Sequence, residues 1–548
     1  MKTTPAELPD TTEELRALVF LQQGELTRHE EEKTQIEFRH EQTVSEYSEE
    51  ISQLREYIRL LKSQRFGARS ERSPSSQLGL FNEAEAIADE DDAQTESDLS
   101  TIEVPAHTRR KRGGRRPLPA FLPREEVLHD LSEDEKVCGN DAEHKLVRIG
   151  EDRLEQLVFI PARAKVLVHI RPQYACPSCK DSVKVAPPPA SPIPKSFATP
   201  SLLAQIVTSK YVDALPLYRQ AKIFQRMGVD LCRGTMAFWV IRMGGLVVPL
   251  LKIFLEKIRR GNYAQMDETP FQVLKEKGKL ATTDSYLWAL RGGEREQPLL
   301  YYEYAPTRSG KVARQLLDGF EGYLQTDGYK GYDHFDEETS GVVHVGCFAH
   351  ARRKFDEALR GQGGQKKKVK PGKKASLARQ GLRRINEFYK IERSMASASR
   401  EERTKLRAEK LAPKIEELRE WTLASMDRVS PDSLTGKAIS YLDKQWPKLV
   451  RVLEDERIPL DTNAVERAIR PFVIGRRNWM FADTPGGATA SARLYSLVET
   501  AKANGIEPWA YLNHVFEKLP QATGPEDIEA LLPWNVEIKE RVARVATD

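Results

Sequence analysis

Apolar residues in the first part of the chain recur in a helical rhythm. Residues 12–64 are rich in Glu, Gln, Arg and Leu, with a single Gly and no Pro. Val44, Tyr47, Ile51, Leu54, Ile58 and Leu61 alternate by three and four. That spacing puts them on one helix seam of about three heptads. Upstream, Leu15, Leu18 and Leu26 are apolar, but the register lapses between His29 and Gln35. The pattern predicts a dimerising coiled coil over residues 1–66. An amphipathic helix folded back on its own domain is the competing reading. Gly67, after Phe66, is placed to cap the helix.

Further along, the periods change. Leu157-Val158-Phe159-Ile160-Pro161 and Val166-Leu167-Val168-His169-Ile170 read as a β-hairpin. From Thr199-Pro200 the pattern turns helical, with Leu202, Leu203, Ile206 and Val207 on one face and Pro200 in the first turn. Residues 217–227, Gly228 and 233–243 read as helix, turn and second helix. Such a pair is either a helix-turn-helix reader of the major groove or an ordinary helical hairpin. Strands are then predicted before Asp267, at 285–290 and 299–304, before Asp327, and at 342–347, with a helix at 310–319. A basic, Leu- and Glu-rich span of about 100 residues, roughly 356–455, cannot be a loop in a compact domain and reads as a helical insertion. After it, residues 463–471 read as a helix ended by Pro471.

The fold class expected is therefore multidomain α/β. Three strands, a helix and a fourth strand, with acids ending the first and fourth, is the order of the ribonuclease-H fold. The expected segments are a coiled coil at 1–66, a linker at 67–117 and a zinc-finger-like domain at 118–190. A helical domain at 191–262, the catalytic core at 263–482 and a C-terminal helical domain at 483–548 follow.

Composition refines this picture at four places. At 548 residues the chain is too long for one core. No apolar run approaches the 18 or so residues of a membrane span. The five cysteines, few and odd in number, argue against a disulfide framework, so an intracellular protein is expected. Net charge is only +4, but its distribution is uneven: nine acidic residues and no Lys or Arg lie between Ser73 and Ala106. Immediately beyond stand Arg109, Arg110, Arg112, Arg115 and Arg116, and Gly114-Arg115-Arg116-Pro117 is similar to an AT-hook core. This run is read as an arm for DNA phosphates or the minor groove, against a solvated linker.

Chemistry concentrates in three carboxylates. Asp267 and Asp327 read as strand-end acids and Glu466 as a helical one. Such a set of hard oxygen ligands suits two Mg²⁺ or Mn²⁺ ions, which activate a nucleophile and stabilise a leaving oxygen in phosphoryl transfer. Arg470 shares the helix face of Glu466, and Arg467 adjoins it; both are read as phosphate clamps. Asn463, one turn earlier, is placed to orient Glu466 or to cap its helix. His350, Arg352 and Arg353 open the helix after the fifth strand and are read as DNA-contacting. Trp479, after Arg476-Arg477, admits a base-stacking or a core reading. Cys138 and Asp141 repeat the spacing of Cys176 and Cys179, a possible Zn²⁺ site, with His144 able to replace Asp141.

Several of these words together resemble one family. Asp267-Glu268-Thr269-Pro270, Asp327-Gly328-Tyr329, His350-Ala351-Arg352-Arg353-Lys354-Phe355, residues 463–471 and Gly475-Arg476-Arg477-Asn478-Trp479-Met480-Phe481 are similar to words of the IS66 family of bacterial insertion-sequence transposases. So are Phe66-Gly67-Ala68-Arg69-Ser70-Glu71-Arg72, Tyr174-Ala175-Cys176-Pro177-Ser178-Cys179, Leu497-Val498-Glu499-Thr500-Ala501-Lys502 and Trp509-Ala510-Tyr511-Leu512. The resemblance covers nearly the whole chain. It implies a DDE transposase whose metal-binding acids are Asp267, Asp327 and Glu466. Such an enzyme cuts DNA at terminal inverted repeats and joins the 3′-hydroxyl to target DNA. It also implies a homodimer or larger assembly, two small accessory proteins from the same element, and a cytoplasmic, nucleoid-associated location. Asp141 departs from the family's frequent Cys, which bears on zinc binding. The competing readings are a catalytically silent DNA-binding protein and a nuclease that cuts without joining.

Overall fold

In the computed structural model, residues 12–66, 137–138, 141–145, 164–175, 183–336, 341–363 and 375–537 are described. The acidic linker, the arginine run 109–116, Gly67 and the strand expected at 157–161 lie outside them. The chain divides into one unit formed by Met1–Glu71 with Ala186–Asp548, and a second formed by Arg72–Val185.

The first unit opens with helix α1 (Thr12–Phe66), unbroken over 55 residues. Its end docks on its own unit: Leu60 is buried, and the Gln53 side chain donates to Ser430 Oγ at 3.2 Å. The seam predicted from the heptads faces the other way. Val44, Tyr47, Ile51, Leu54, Ile58 and Leu61 are all exposed. The helix therefore folds back on its own unit along one face and leaves the heptad seam open.

The second unit holds two short antiparallel hairpins. Strands β1 (Val137–Cys138) and β2 (Asp141–Lys145) form one, with Cys138 opposite Asp141. Strands β3 (Gln173–Ala175) and β4 (Val183–Val185) form the other, and Cys176 directly follows β3. The hairpin expected at 166–170 is corrected here, because those residues form no strand. Their apolar side chains stay exposed, so no buried face rewards pairing there.

Four helices lead back into the first unit: α2 (Pro200–Tyr211), α3 (Leu217–Arg226), α4 (Arg233–Leu246) and α5 (Val248–Arg260). Thr199 caps α2 by accepting from Leu202 N, with Pro200 in the first turn as expected. Gly228, at φ +80°, makes the turn between α3 and α4.

The sheet comprises β5 (Tyr263–Gln272), β6 (Asp284–Glu294), β7 (Gln297–Ala305), β8 (Gly322–Gln325) and β9 (Val342–Val345). Helix α6 (Gly310–Leu316) lies between β7 and β8. The strand order is β7-β6-β5-β8-β9, with β5, β6 and β7 antiparallel and the β5–β8 and β8–β9 pairs parallel. The strand carrying Asp267 is longer than the sequence suggested, so that acid is not at its end. Beyond Gln265 the β8 side of β5 is open while the β6 ladder continues to Gln272. An open edge is where a strand tolerates Pro270.

The insertion is helical as expected: α7 (Phe348–Gly361), α8 (Leu377–Ser394), α9 (Arg400–Leu406), α10 (Ala412–Met426) and α11 (Leu434–Leu449). Phe355, Phe388, Leu418, Ile439 and Leu442 give it a core of its own. Helix α12 (Asn463–Trp479) returns to the sheet, followed by α13 (Pro485–Ala503), α14 (Pro508–Lys518) and α15 (Pro525–Glu529). Pro471 does not end α12, another correction. A proline inside a helix costs about 3 kcal/mol, and burial of Phe472 against Phe271 and Tyr495 offsets it.

Segments divided in the sequence at 262 and 482 share one continuous core. Helix α13 also closes the free edge of β7. Thr500 Oγ1 accepts from Leu300 N at 3.0 Å, and Ser496 Oγ accepts from Tyr302 N at 2.8 Å. Hydroxyls thereby occupy positions where another strand would otherwise pair. Among the described residues, no single helix is long and apolar enough to cross a membrane.

Candidate active site

Two strands and their register place the first two acids. Along the parallel β5–β8 pair, Gln265 is the register partner of Gln325. Residues two apart on a strand share a face. Asp267 and Asp327 each follow these glutamines by two, so they leave adjacent strands on the same side. Thr326 N still donates to Val345 O at 3.1 Å, and the chain turns immediately afterwards. Asp327 Oδ1 accepts from Tyr329 N at 2.9 Å, fixing that turn.

The same glutamines bring in the third acid. Gln325 Nε2 donates to Gly346 O at 3.1 Å and to Pro459 O at 2.8 Å. Gln265 Nε2 donates to Gln325 Oε1 and to Asp461 O, both at 3.0 Å. The Tyr263 hydroxyl also donates to Gln325 Oε1, at 2.8 Å. The loop just before α12 is therefore tied to the strands carrying Asp267 and Asp327. A buried network of this kind fixes position because each broken bond strands a polar group.

Glu466 sits in the first turn of α12. Thr462, buried at the N-cap, donates its hydroxyl to Glu466 Oε1 at 3.4 Å. Arg353 Nη2 lies 3.5 Å from Glu466 Oε2, and His350 Nε2 lies 3.8 Å from Oε1. The sequence-predicted roles sort accordingly. His350 and Arg353 meet Glu466 directly, whereas Arg352 donates to Asn386 Oδ1 at 2.7 Å. Asn463 is neither cap nor partner of Glu466; its amide donates to Asp461 Oδ2 at 2.7 Å. Arg467 and Arg470 are exposed on α12.

Electrostatics tie the acids together. Burial, with Glu268 and then Asp327 and Glu466 nearby, pushes the Asp267 carboxyl up to about 8, against one bond from Glu268 N. Among the described residues no ion pair joins Asp267 to a basic side chain. His350 is held below its ordinary range by burial and Arg353, against the pull of Glu466 and Asp327.

Several site residues had no predicted role. Glu268, adjacent to Asp267, has a side chain only 1% exposed and pairs with Arg308 at 2.6 Å and with the Tyr332 hydroxyl. The Arg308 guanidinium lies 3.7 Å over the Tyr329 ring, and the Tyr329 hydroxyl donates back to Arg308 O at 2.9 Å. Gly328 is required by close approach, since a Cβ there would stand 2.9 Å from the Tyr441 hydroxyl. The repeated Gln-x-Asp spacing at 265/267 and 325/327 was the one legible signal for the glutamine pair.

The donor set fits hard divalent cations in kind: three carboxylates, one of them desolvated and lacking a basic partner. Among the described residues no three such side chains stand close enough to hold an ion as they are. The acids form an open set that an ion would have to draw in. The side chains of Cys138, Asp141, Cys176 and Cys179 lie outside what is described. Cys232, exposed, and Cys347, buried, are free thiols.

Comparisons with known proteins agree over most of the chain. A family described as "Transposase IS66 family" matches residues 195–490, and "IS66 C-terminal element" matches 496–534. A "zinc-finger binding domain of transposase IS66" matches 135–180, and "Transposase C of IS166 homeodomain" matches 53–127. The uncharacterized protein y4qI of Sinorhizobium fredii is 32% identical over 550 residues, covering 97% of this chain and 98% of that protein. The uncharacterized protein y4jD of the same organism is 33% identical over 530 residues, covering 91% and 98%.

Proposed function

The chain belongs to the IS66 family of transposases, and from that premise we propose that it is a DDE transposase with Asp267, Asp327 and Glu466 as its catalytic acids. The sheet with α12 is read as a ribonuclease-H-like core. Its strand order and the acids on β5, after β8 and on a following helix support that reading. The observation that carries the proposal is the Gln265–Gln325 pair. It sets two acids side by side and tethers the loop that delivers the third, across 139 positions of sequence (466 minus 327).

The reaction proposed is hydrolytic cleavage at element ends, then attack of the freed 3′-hydroxyl on target DNA. Divalent ions bound by the acids, Mg²⁺ or Mn²⁺, would activate the attacking oxygen and neutralise charge on the leaving one. The chain's own groups do the rest. Arg353 and His350 hold Glu466 in place from α7, and Thr462 holds it from the cap. Glu268 keeps Arg308 stacked on Tyr329 beside Asp327, as a fixed cation for a DNA phosphate.

The partners proposed are terminal inverted repeats and target DNA. Arg109, Arg110, Arg112, Arg115 and Arg116 are proposed as a backbone arm. A Zn²⁺ site is proposed at Cys138, Asp141, Cys176 and Cys179. Dimerisation through α1 and two accessory proteins of the element complete the proposal. A strand-transfer assay with a pre-cut element end separates it from a simple nuclease. Joined product is expected, and cleavage without joining would leave only the nuclease reading.

A further inference from the structure

Helix α12 carries more than Glu466. Arg470 and Arg477 follow it by four and eleven residues and are both exposed. At about 100° per residue they fall within roughly 40° of Glu466 around the helix. One face therefore carries Glu466 and two exposed arginines, with Val473 between them.

The helix ends in an unusual turn. Met480 has φ 63° and ψ −51°, and Phe481 N donates to Trp479 O at 2.8 Å. That is a γ-turn of positive φ, a strained backbone for a side chain such as Met. Both flanks hold it. Ahead, Trp479 packs on Phe271 and Phe472, at ring distances of 5.7 and 5.5 Å, with the Lys210 ammonium 4.9 Å over its ring. Behind, Ala482 N donates to Gln272 O and Ala482 O accepts from Leu274 N, both at 3.0 Å, gripping the end of β5. The result is a braced apolar tip, with Met480 67% and Phe481 40% exposed.

We propose that Met480 and Phe481 form a wedge that enters the base stack of DNA whose backbone follows Arg470 and Arg477. The proposal rests on the DNA-processing reading of the acids. Two apolar side chains are too small a patch for a stable protein interface. They match the needs of a base-step wedge, with an apolar tip for the stack and positive charge for the phosphates. The tip lies 14 residues along from Glu466 (480 minus 466). That is about 21 Å of helix, or roughly six base pairs.

The test uses the full chain and a mixed-sequence 40-base-pair duplex, with Ca²⁺ replacing Mg²⁺. A 2-aminopurine is moved from three to ten base pairs from a 3′-hydroxyl end. Wild-type protein should raise its fluorescence most at about six base pairs. Glycine accepts the φ of Met480, so Met480→Gly with Phe481→Ser should stay folded, lose the rise and bind roughly tenfold more weakly. Met480→Leu should keep the rise, and so should Asp267→Asn, which separates this proposal from the catalytic one. Absence of a rise despite wild-type binding would overturn the wedge, as would a rise that survives the double substitution. Weaker binding by the double variant without any wild-type rise would also overturn it, by assigning the tip to a protein contact. No wild-type binding would overturn wedge and DNA reading together.

Discussion

Gln265 and Gln325 are hydrogen-bonded register partners on adjacent parallel strands, 3.0 Å apart, each two residues before a catalytic-candidate aspartate. Between them their amides also hold Gly346 O, Pro459 O and Asp461 O. Gln325→Leu leaves two of those carbonyls and two side-chain donors without their partner. The variant should lose about 2–3 kcal/mol of stability, read as a lowered urea midpoint. Its strand cleavage should fall further than its folded fraction, because the loop before Glu466 is released.

Asp267 should cost the metal-free protein stability. Its folded carboxyl is raised to about 8 from an ordinary value near 3.8. A raised folded value means that stability is lost as pH climbs through that window. At pH 8 in EDTA, Asp267→Asn should therefore melt higher than wild type. Mg²⁺ or Mn²⁺ should raise the wild-type melting temperature and leave the variant unchanged. A variant less stable than wild type in EDTA would contradict the assignment.

His344 supplies a pH dependence of opposite sign. Burial lowers it to about 4 from 6.5, so it stays neutral. Its Nδ1 lies 2.8 Å from Asp336 Oδ1 and its Nε2 2.7 Å from Thr326 Oγ1. A depressed folded value contributes stability that is complete above pH 6.5 and lost as pH falls towards 4. The loss should reach about 3 kcal/mol at the low end. His344→Gln should flatten that part of the urea midpoint against pH.

The two faces of α1 should separate by mutation. Ile51→Ser with Ile58→Ser, on the open seam, should shift full-length protein from dimer to monomer in sedimentation without lowering its melting temperature. Leu60→Ala, on the docked face, should instead lower the melting temperature by creating a cavity. A monomeric wild type at tens of micromolar would remove the coiled-coil proposal.

Much of this architecture was legible in local pattern. Strands β6 and β7 announce themselves by aromatic and aliphatic runs, and α1 by its heptads. The helical insertion was legible too. What failed locally was decided by tertiary packing. Strand β5 runs past Asp267 because β6 keeps pairing with it, and α12 runs through Pro471 because Phe472 is buried. The partners of Glu466 come from α7 and the cap, and those of Glu268 from residues 40 and 64 positions away. No spacing rule reaches that far.

The most direct measurement is Mg²⁺-dependent cleavage of element-end DNA by Asp267→Asn, Asp327→Asn and Glu466→Gln beside wild type. Each substitution should abolish cleavage and joining while end binding stays within about twofold, since catalytic-acid loss removes transition-state stabilisation rather than ground-state affinity. Cleavage retained by any one of the three would contradict the shared active site.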